Sequence, residues 1–97
     1  DVRDEEEWDE GHIEKAHLLT YTRMVEQLTN PAMLPTLPLG KEQHIAVTCA
    51  TGKRSSTAIS VMKREGFKHL YNVTGGMEAW EAAGFPMRDG EGKVCNI

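Results

Sequence analysis

At 97 residues, with 39% hydrophobic and 27% charged side chains, the chain has the length and balance of one globular domain, which excludes two domains and any long disordered tract. A formal net charge of -4, with acids massed at Asp4, Glu5, Glu6, Glu7, Asp9 and Glu10, argues against a nucleic-acid partner, because phosphate neutralisation needs a basic face. No apolar run approaches the roughly 18 residues that span a bilayer, and the opening Asp1-Val2-Arg3-Asp4 is unlike a signal peptide, so no membrane partner is expected. Two cysteines, Cys49 and Cys95, are too few for a disulfide framework and point to a reduced, cytoplasmic protein, although an export signal removed upstream would leave no trace.

In chain order, residues 5–10 form a short acidic helix or turn that Gly11 stops, and residues 16–19 read as a short strand. Met24, Val25 and Leu28 give residues 22–29 the spacing of an amphipathic helix, which Asn30-Pro31 ends. Residues 31–40 hold three prolines and a glycine and read as an irregular connector. The β-branched run 44–48 predicts a buried strand with Cys49 at its carboxyl end. Ala58, Ile59, Val61 and Met62 predict a helix over 56–65, with Lys63 and Arg64 suited to its C-terminal dipole and Gly66 as its stop. A strand over 70–73, a Gly75-Gly76 turn and a helix over 77–83 with Trp80 inward complete the pattern. Residues 93–97 are short and β-prone. Strands alternating with helices over short connections imply parallel strands with helical crossovers, an α/β architecture.

In such a sheet, ligands gather where strand ends meet the N-termini of the following helices. Cys49 has that address, and the loop Ala50, Thr51, Gly52, Lys53, Arg54 and Ser55 leads into the clearest helix of the chain. Amides there favour an anion, and together with Lys53 and Arg54 they should hold the thiol below its ordinary value, giving a thiolate without a histidine base. Such a thiolate suits attack on a sulfane sulfur, and the anionic persulfide that results is stabilised by the same amides. Ser55 or Ser56 is expected to cap the helix, the ordinary role of serine at a helix start. A strand-terminal cysteine is more often an inert small hydrophobe, and it is the glycine, the two cations and the serines that shift the balance here. His12, His17, His44 and His69 are too dispersed for a zinc pattern, and neither metal nor cofactor is implied. The five methionines read as core, Trp8 and Trp80 as core or rim, the acidic run as a solvated face, and Cys95 as incidental.

These residues resemble a single rhodanese homology domain, a thiosulfate sulfurtransferase-like family. The similarity runs through Asp1-Val2-Arg3-Asp4 with Glu7-Trp8 and Gly11-His12-Ile13, then through Cys49 to Ser55, then through Gly75-Gly76-Met77-Glu78-Ala79-Trp80. The resemblance implies a three-layer α/β fold with a parallel sheet flanked by helices, and a persulfide carried on Cys49. It also implies a cradle from the amides of Ala50 to Ser55, recruitment of anionic donors such as thiosulfate by Lys53 and Arg54, and a supporting role for Asp1 and Arg3. The acceptor would be a thiol, including a protein thiol, or cyanide. Two departures stand out. Lys15 replaces a glycine usual in the family, so that turn is expected to differ slightly, and the strand-helix segment that precedes Asp-Val-Arg in the family is not in the sequence, which suggests a domain truncated at its N-terminus.

Two other classes stay open at this stage. One is a non-catalytic rhodanese-like binding or regulatory module. The other is a cysteine-dependent phosphatase or arsenate reductase, although the loop between Cys49 and Arg54 is one residue shorter than the phosphatase pattern.

Overall fold

In a computed structural model, residues 1–30 and 40–90 are described, together with the backbone of residues 94–95. The elements run α1 (Glu5–Glu10), α2 (Tyr21–Thr29), β1 (His44–Val47), α3 (Lys53–Arg64), β2 (His69–Asn72), α4 (Gly76–Ala82), β3 (Met87–Arg88) and β4 (Val94–Cys95). The expected α/β fold is observed. β1 and β2 are parallel, in the register His44↔His69 to Val47↔Asn72, with α3 as the crossover packed on both. β3 and β4 form a separate antiparallel pair, so the β-prone tail does contribute a strand. The proline-rich connector over 31–39 lies outside the described residues.

Local chemistry explains the helix ends. In α1 the Asp4 N–H donates to Glu7 Oε1 at 3.2 Å, closing the first turn, and Gly11 ends the helix with its N–H on the Trp8 carbonyl. In α3 the buried positions Ser55, Ala58, Val61 and Met62 lie on one face, three or four residues apart, and Lys63 and Arg64 occupy the last turn. That face meets Val2, Leu19, Met24, Val47 and Phe67 in one hydrophobic core that also encloses Cys49. Met24, 1% exposed, anchors α2 against α3. Burying a side chain of this size contributes roughly 2 kcal/mol, so this residue alone carries much of the case for α2.

Several expectations need correction. Residues 16–19 form no strand. They lie beside the chain start, where the Leu19 and Tyr21 N–H groups donate to the carbonyls of Asp1 and Val2 at 2.9 and 3.1 Å. Their bonds serve one short strap, Asp1–Val2, and Val2 in turn donates to Thr48 O at 2.9 Å, which ties both pieces to the end of β1. β1 is buried only at Val47, since its other residues are partly or fully exposed. α3 begins three residues before the expected start, so Lys53, Arg54 and Ser55 belong to its first turn. Trp80 does not point into the core. It is half-buried, donates Nε1–H to Pro86 O at 2.9 Å and packs against Phe85, while Met77 supplies the buried face of α4.

Lys15 keeps the left-handed backbone that a glycine would supply, with φ at 68°. A residue with a Cβ pays steric strain there. Lys15→Gly is therefore expected to raise stability by about 1 kcal/mol, read as a higher urea midpoint at unchanged slope. A midpoint at or below that of the wild type would contradict the strain.

Candidate functional site

Cys49 follows β1 by two residues, and its backbone is fixed from the far side. The Met77 N–H donates to Cys49 O at 2.7 Å and the Glu78 N–H to Ala50 O at 2.9 Å, so the first free amides of α4 claim the loop's carbonyls. Only glycine fits at the head of that helix. Gly76 has φ 62°, and a Cβ there would run into the carbonyl oxygens of Cys49 and Ala50, the latter at 2.6 Å. With its carbonyls turned toward α4, the loop is free to turn amides toward sulfur.

Gly52, at φ 103°, caps α3 and bends the chain so that its N–H donates to Cys49 Sγ at 3.1 Å. The Ser55 N–H, in the first turn, donates to the same sulfur at 3.3 Å, and Ser55 Oγ lies 3.4 Å away. The cap is thus Gly52 rather than Ser55 or Ser56. Ser55 is fully buried, and its hydroxyl faces Cys49 Sγ, the Gly52 carbonyl at 3.1 Å and Asn72 Oδ1 at 2.6 Å. Burial pushes the Cys49 thiol up, but the hydrogen bond it shares with the Ser55 hydroxyl and those from the Ser55 and Gly52 amides and the Thr51 backbone outweigh it and hold the thiol below its ordinary value. The weight lies on hydrogen-bond donors more than on the cations singled out in the sequence.

The cations are placed differently from expectation. Lys53 is exposed. Arg54 forms a two-pronged ion pair with Glu7, Nη1 to Oε1 at 2.8 Å and Nη2 to Oε2 at 2.9 Å, so one member of the acidic run is a site residue and not part of a solvated face. Asp1 and Arg3 form a second pair at 2.7 Å with both side chains almost fully buried, and Arg3 Nη2 also donates to Gly11 O at 2.7 Å. Arg3 and Arg54 both face Cys49 electrostatically, each with a carboxylate neutralising it. Beside the loop is a cleft of about 250 Å³ lined by Arg3, Glu7, Glu10, Ala50 and Glu78. A larger apolar groove of about 350 Å³ runs along β1 past Val2, Leu19, Met24, Ile45 and Met62, away from the sulfur, so size alone would misplace the site. Among the described residues no group of three or more His, Cys, Asp or Glu side chains is arranged to hold a metal, and no helix is long and apolar enough to cross a membrane. His44 and His69 stack on each other at the opposite end of the strands. The Cys95 side chain lies outside the described residues.

Sequence reasoning missed Glu7, Asn72 and Gly76 as parts of the site. Gly76 alone carried a signal, since a Gly-Gly pair before a helix marks a close backbone approach.

Arg54 holds the Glu7 carboxyl down to about 2 from 4.5 through its side-chain hydrogen bonds, against the effect of burial. A depressed carboxyl stabilises the fold above its unfolded value and loses that contribution as pH falls through the folded value. Stability should therefore drop as pH falls from about 4.5 to about 2, and Glu7→Gln should flatten that drop. Because the pair is one-third exposed, the difference should stay within about 1 kcal/mol. Urea unfolding at the two ends of the window measures it, and parallel curves for the two proteins would contradict the pairing.

Comparison with known proteins follows the same residues. The sequence profile of the Rhodanese-like domain matches residues 1–83. The chain is 35% identical over 89 residues to the mitochondrial protein HIGH ARSENIC CONTENT 1 of Arabidopsis thaliana, covering 88% of this chain and 53% of the relative, and so spans about half of that relative's length. It is 30% identical over 87 residues to the thiosulfate sulfurtransferase GlpE of Vibrio cholerae, covering 90% of this chain and 74% of that protein. Among solved structures, the Rhodanese_3 like domain of the Alr3790 protein from Anabaena superposes with a TM-score of 0.72 at 29% identity, covering 90% of this chain and 92% of the other.

Proposed function

Since the chain belongs to the rhodanese-like domain family, we propose that it is a sulfurtransferase in which Cys49 carries a sulfane sulfur from a donor to a thiol or cyanide acceptor. The observation that carries this reading is the convergence of the Gly52 N–H and the Ser55 N–H on one sulfur, with the Ser55 hydroxyl in contact beside them. Such a set stabilises negative charge on sulfur in both the resting and the loaded state. It replaces the base that a neutral thiol would need, and among the described residues no histidine is a hydrogen-bond partner of Sγ.

In the loading step the Cys49 thiolate attacks the sulfane sulfur of thiosulfate. A Cys49–sulfur bond forms, the donor's sulfur–sulfur bond breaks, and sulfite leaves with the electron pair. In the discharging step an acceptor thiolate attacks the outer sulfur, the new bond breaks, and Cys49 leaves as the thiolate. With cyanide the product is thiocyanate. Redox balance holds without a cofactor. Cys49 is only 1% exposed, so access to Sγ requires the loop to yield locally, and the short stretch Ala50-Thr51-Gly52 ahead of α3 is where it can do so. Asp1 and Arg3 support the site by fixing the strap and Gly11, while Arg54 presents the positive face that Glu7 leaves uncovered.

A second reading is favoured by one observation, the name of the plant relative, which refers to arsenic. Arsenate is also an oxyanion open to thiolate attack, and it would compete for the same amides. A phosphatase gains less support, because the loop between Cys49 and Arg54 is one residue shorter than the phosphatase pattern.

Thiosulfate treatment should add the mass of one sulfur atom to the intact protein, removable by cyanide or a thiol and absent in Cys49→Ser. Full transfer by that variant, or no loading of the wild type, would overturn the reading and favour a binding module, while arsenate reduction lost in Cys49→Ser and faster than sulfur transfer would favour the second. Arg54→Ala should raise the apparent KM for thiosulfate about threefold to tenfold, the size of one screened charge contact, and leave an uncharged persulfide donor unaffected. Equal effects on both donors would remove the recruitment role.

A further inference from the structure

The carboxamide of Asn72, at the end of β2, touches three groups of the segment that holds Cys49. Its Oδ1 accepts the Ser55 hydroxyl at 2.6 Å, and its Nδ2 donates to the Gly52 carbonyl at 3.4 Å and to Ser56 Oγ at 3.2 Å. Ser55 Oγ has one proton and two lone pairs to distribute among Asn72, the Gly52 carbonyl and the sulfur. When the proton lies on the shortest of these contacts, toward Asn72, Ser55 offers sulfur only a lone pair. That arrangement suits a neutral thiol donating its S–H. A thiolate or persulfide needs the reverse, with the hydroxyl proton aimed at sulfur. Asn72 and the sulfur therefore compete for a single proton.

We propose that Asn72 is a positioning residue that acts through Ser55, deciding whether Cys49 faces a lone pair or a proton and so how readily its sulfur becomes and stays anionic. The proposal rests on the reading of Cys49 as the sulfur carrier. A carboxamide suits the task because it holds an acceptor and a donor side by side. Turned over, it gives Nδ2–H to Ser55 Oγ and releases the hydroxyl proton to sulfur, while the Ser56 hydroxyl donates to Oδ1. The thiol proton passes to solvent, and no other proton leaves the network. The Gly52 carbonyl gives up only its 3.4 Å contact, the longest of the set. A carboxylate at the same place can only accept, and would hold the Ser55 proton away from sulfur in every state.

Other charges around the thiol are accounted for. Arg3 faces it from the chain start, held by Asp1, and Arg54 faces it from α3, held by Glu7. The neighbouring cleft adds Glu10 of α1 and Glu78 and Glu81 of α4. A substitution at Asn72 leaves all of these in place, and comparison with and without the Ser55 hydroxyl separates the hydrogen-bond effect from that of a new charge.

The experiment is a cycle of Asn72→Asp, Ser55→Ala and the double variant, read by the pH dependence of Cys49 alkylation by iodoacetamide, with the modified residue identified by peptide mass. Asn72→Asp should slow alkylation at neutral pH about tenfold more when Ser55 is present than in the Ser55→Ala background, the size of one charge-assisted hydrogen bond. Equal slowing in both backgrounds would assign the effect to charge alone and overturn the proposal. A second measurement needs no substitution: in isotope-labelled wild-type protein, the Asn72 side-chain amide resonances should shift with the same pH midpoint as Cys49. Amide resonances that stay still through that midpoint would also overturn it. Neither measurement uses a sulfur donor, so a chain that transfers no sulfur can pass both, and a chain that fails both can still transfer sulfur.

Discussion

The site depends on how two consecutive peptide groups are turned. Cys49 and Ala50 give their carbonyls to the Met77 and Glu78 amides at the head of α4, and that contact leaves the far side of the loop lined with N–H groups. If those carbonyls pointed at Sγ instead, burial would leave a neutral thiol with no donor to lower it, and Cys49 would be an ordinary core cysteine. Gly76 permits the approach, Gly52 completes the bend, and α3 starts where it does because its first free amides already have sulfur as an acceptor.

Charge around the sulfur is more nearly balanced than a count of cations suggests. The two guanidiniums that face Cys49 are each occupied by a carboxylate, Asp1 for Arg3 and Glu7 for Arg54. The pairs differ in kind. Asp1–Arg3 is buried and bound into the backbone through Gly11, so it holds the chain start against the end of β1. Glu7–Arg54 is one-third exposed and joins α1 to the first turn of α3, where salt and pH can act on it. Positive potential near the thiol is thus partly held in reserve, and the steady stabilisation of its anion falls to dipoles that no titration removes.

The scaffold under this loop is spare. Among the described residues, two parallel strands, the crossover helix α3, α2 and a strap of two residues bring Val2, Val47, Met62 and Met24 into a single core, and Cys49 is part of that core as well as of the candidate site. Its place in the packing explains why Cys49 is only 1% exposed. The same economy puts Ser55 on the buried face of α3 while its hydroxyl serves the sulfur.

Read alone, the sequence determined the class of fold, the strand-loop-helix address of Cys49 and the family resemblance, because each rests on local features: apolar period, turn residues and a contiguous motif. It also located α2, α3 and α4 to within a few residues. Helix starts were less legible, since Gly52 caps α3 through a left-handed bend that serine statistics do not anticipate. Tertiary structure alone decided what the motif residues touch. Glu7 reaches Arg54 across 47 positions of chain and Asn72 reaches Ser55 across 17, and nothing in the local composition of either segment marks those meetings. The reason is physical: a thiol's state is set by which donors and charges converge on it in space, and convergence is a property of the packed chain.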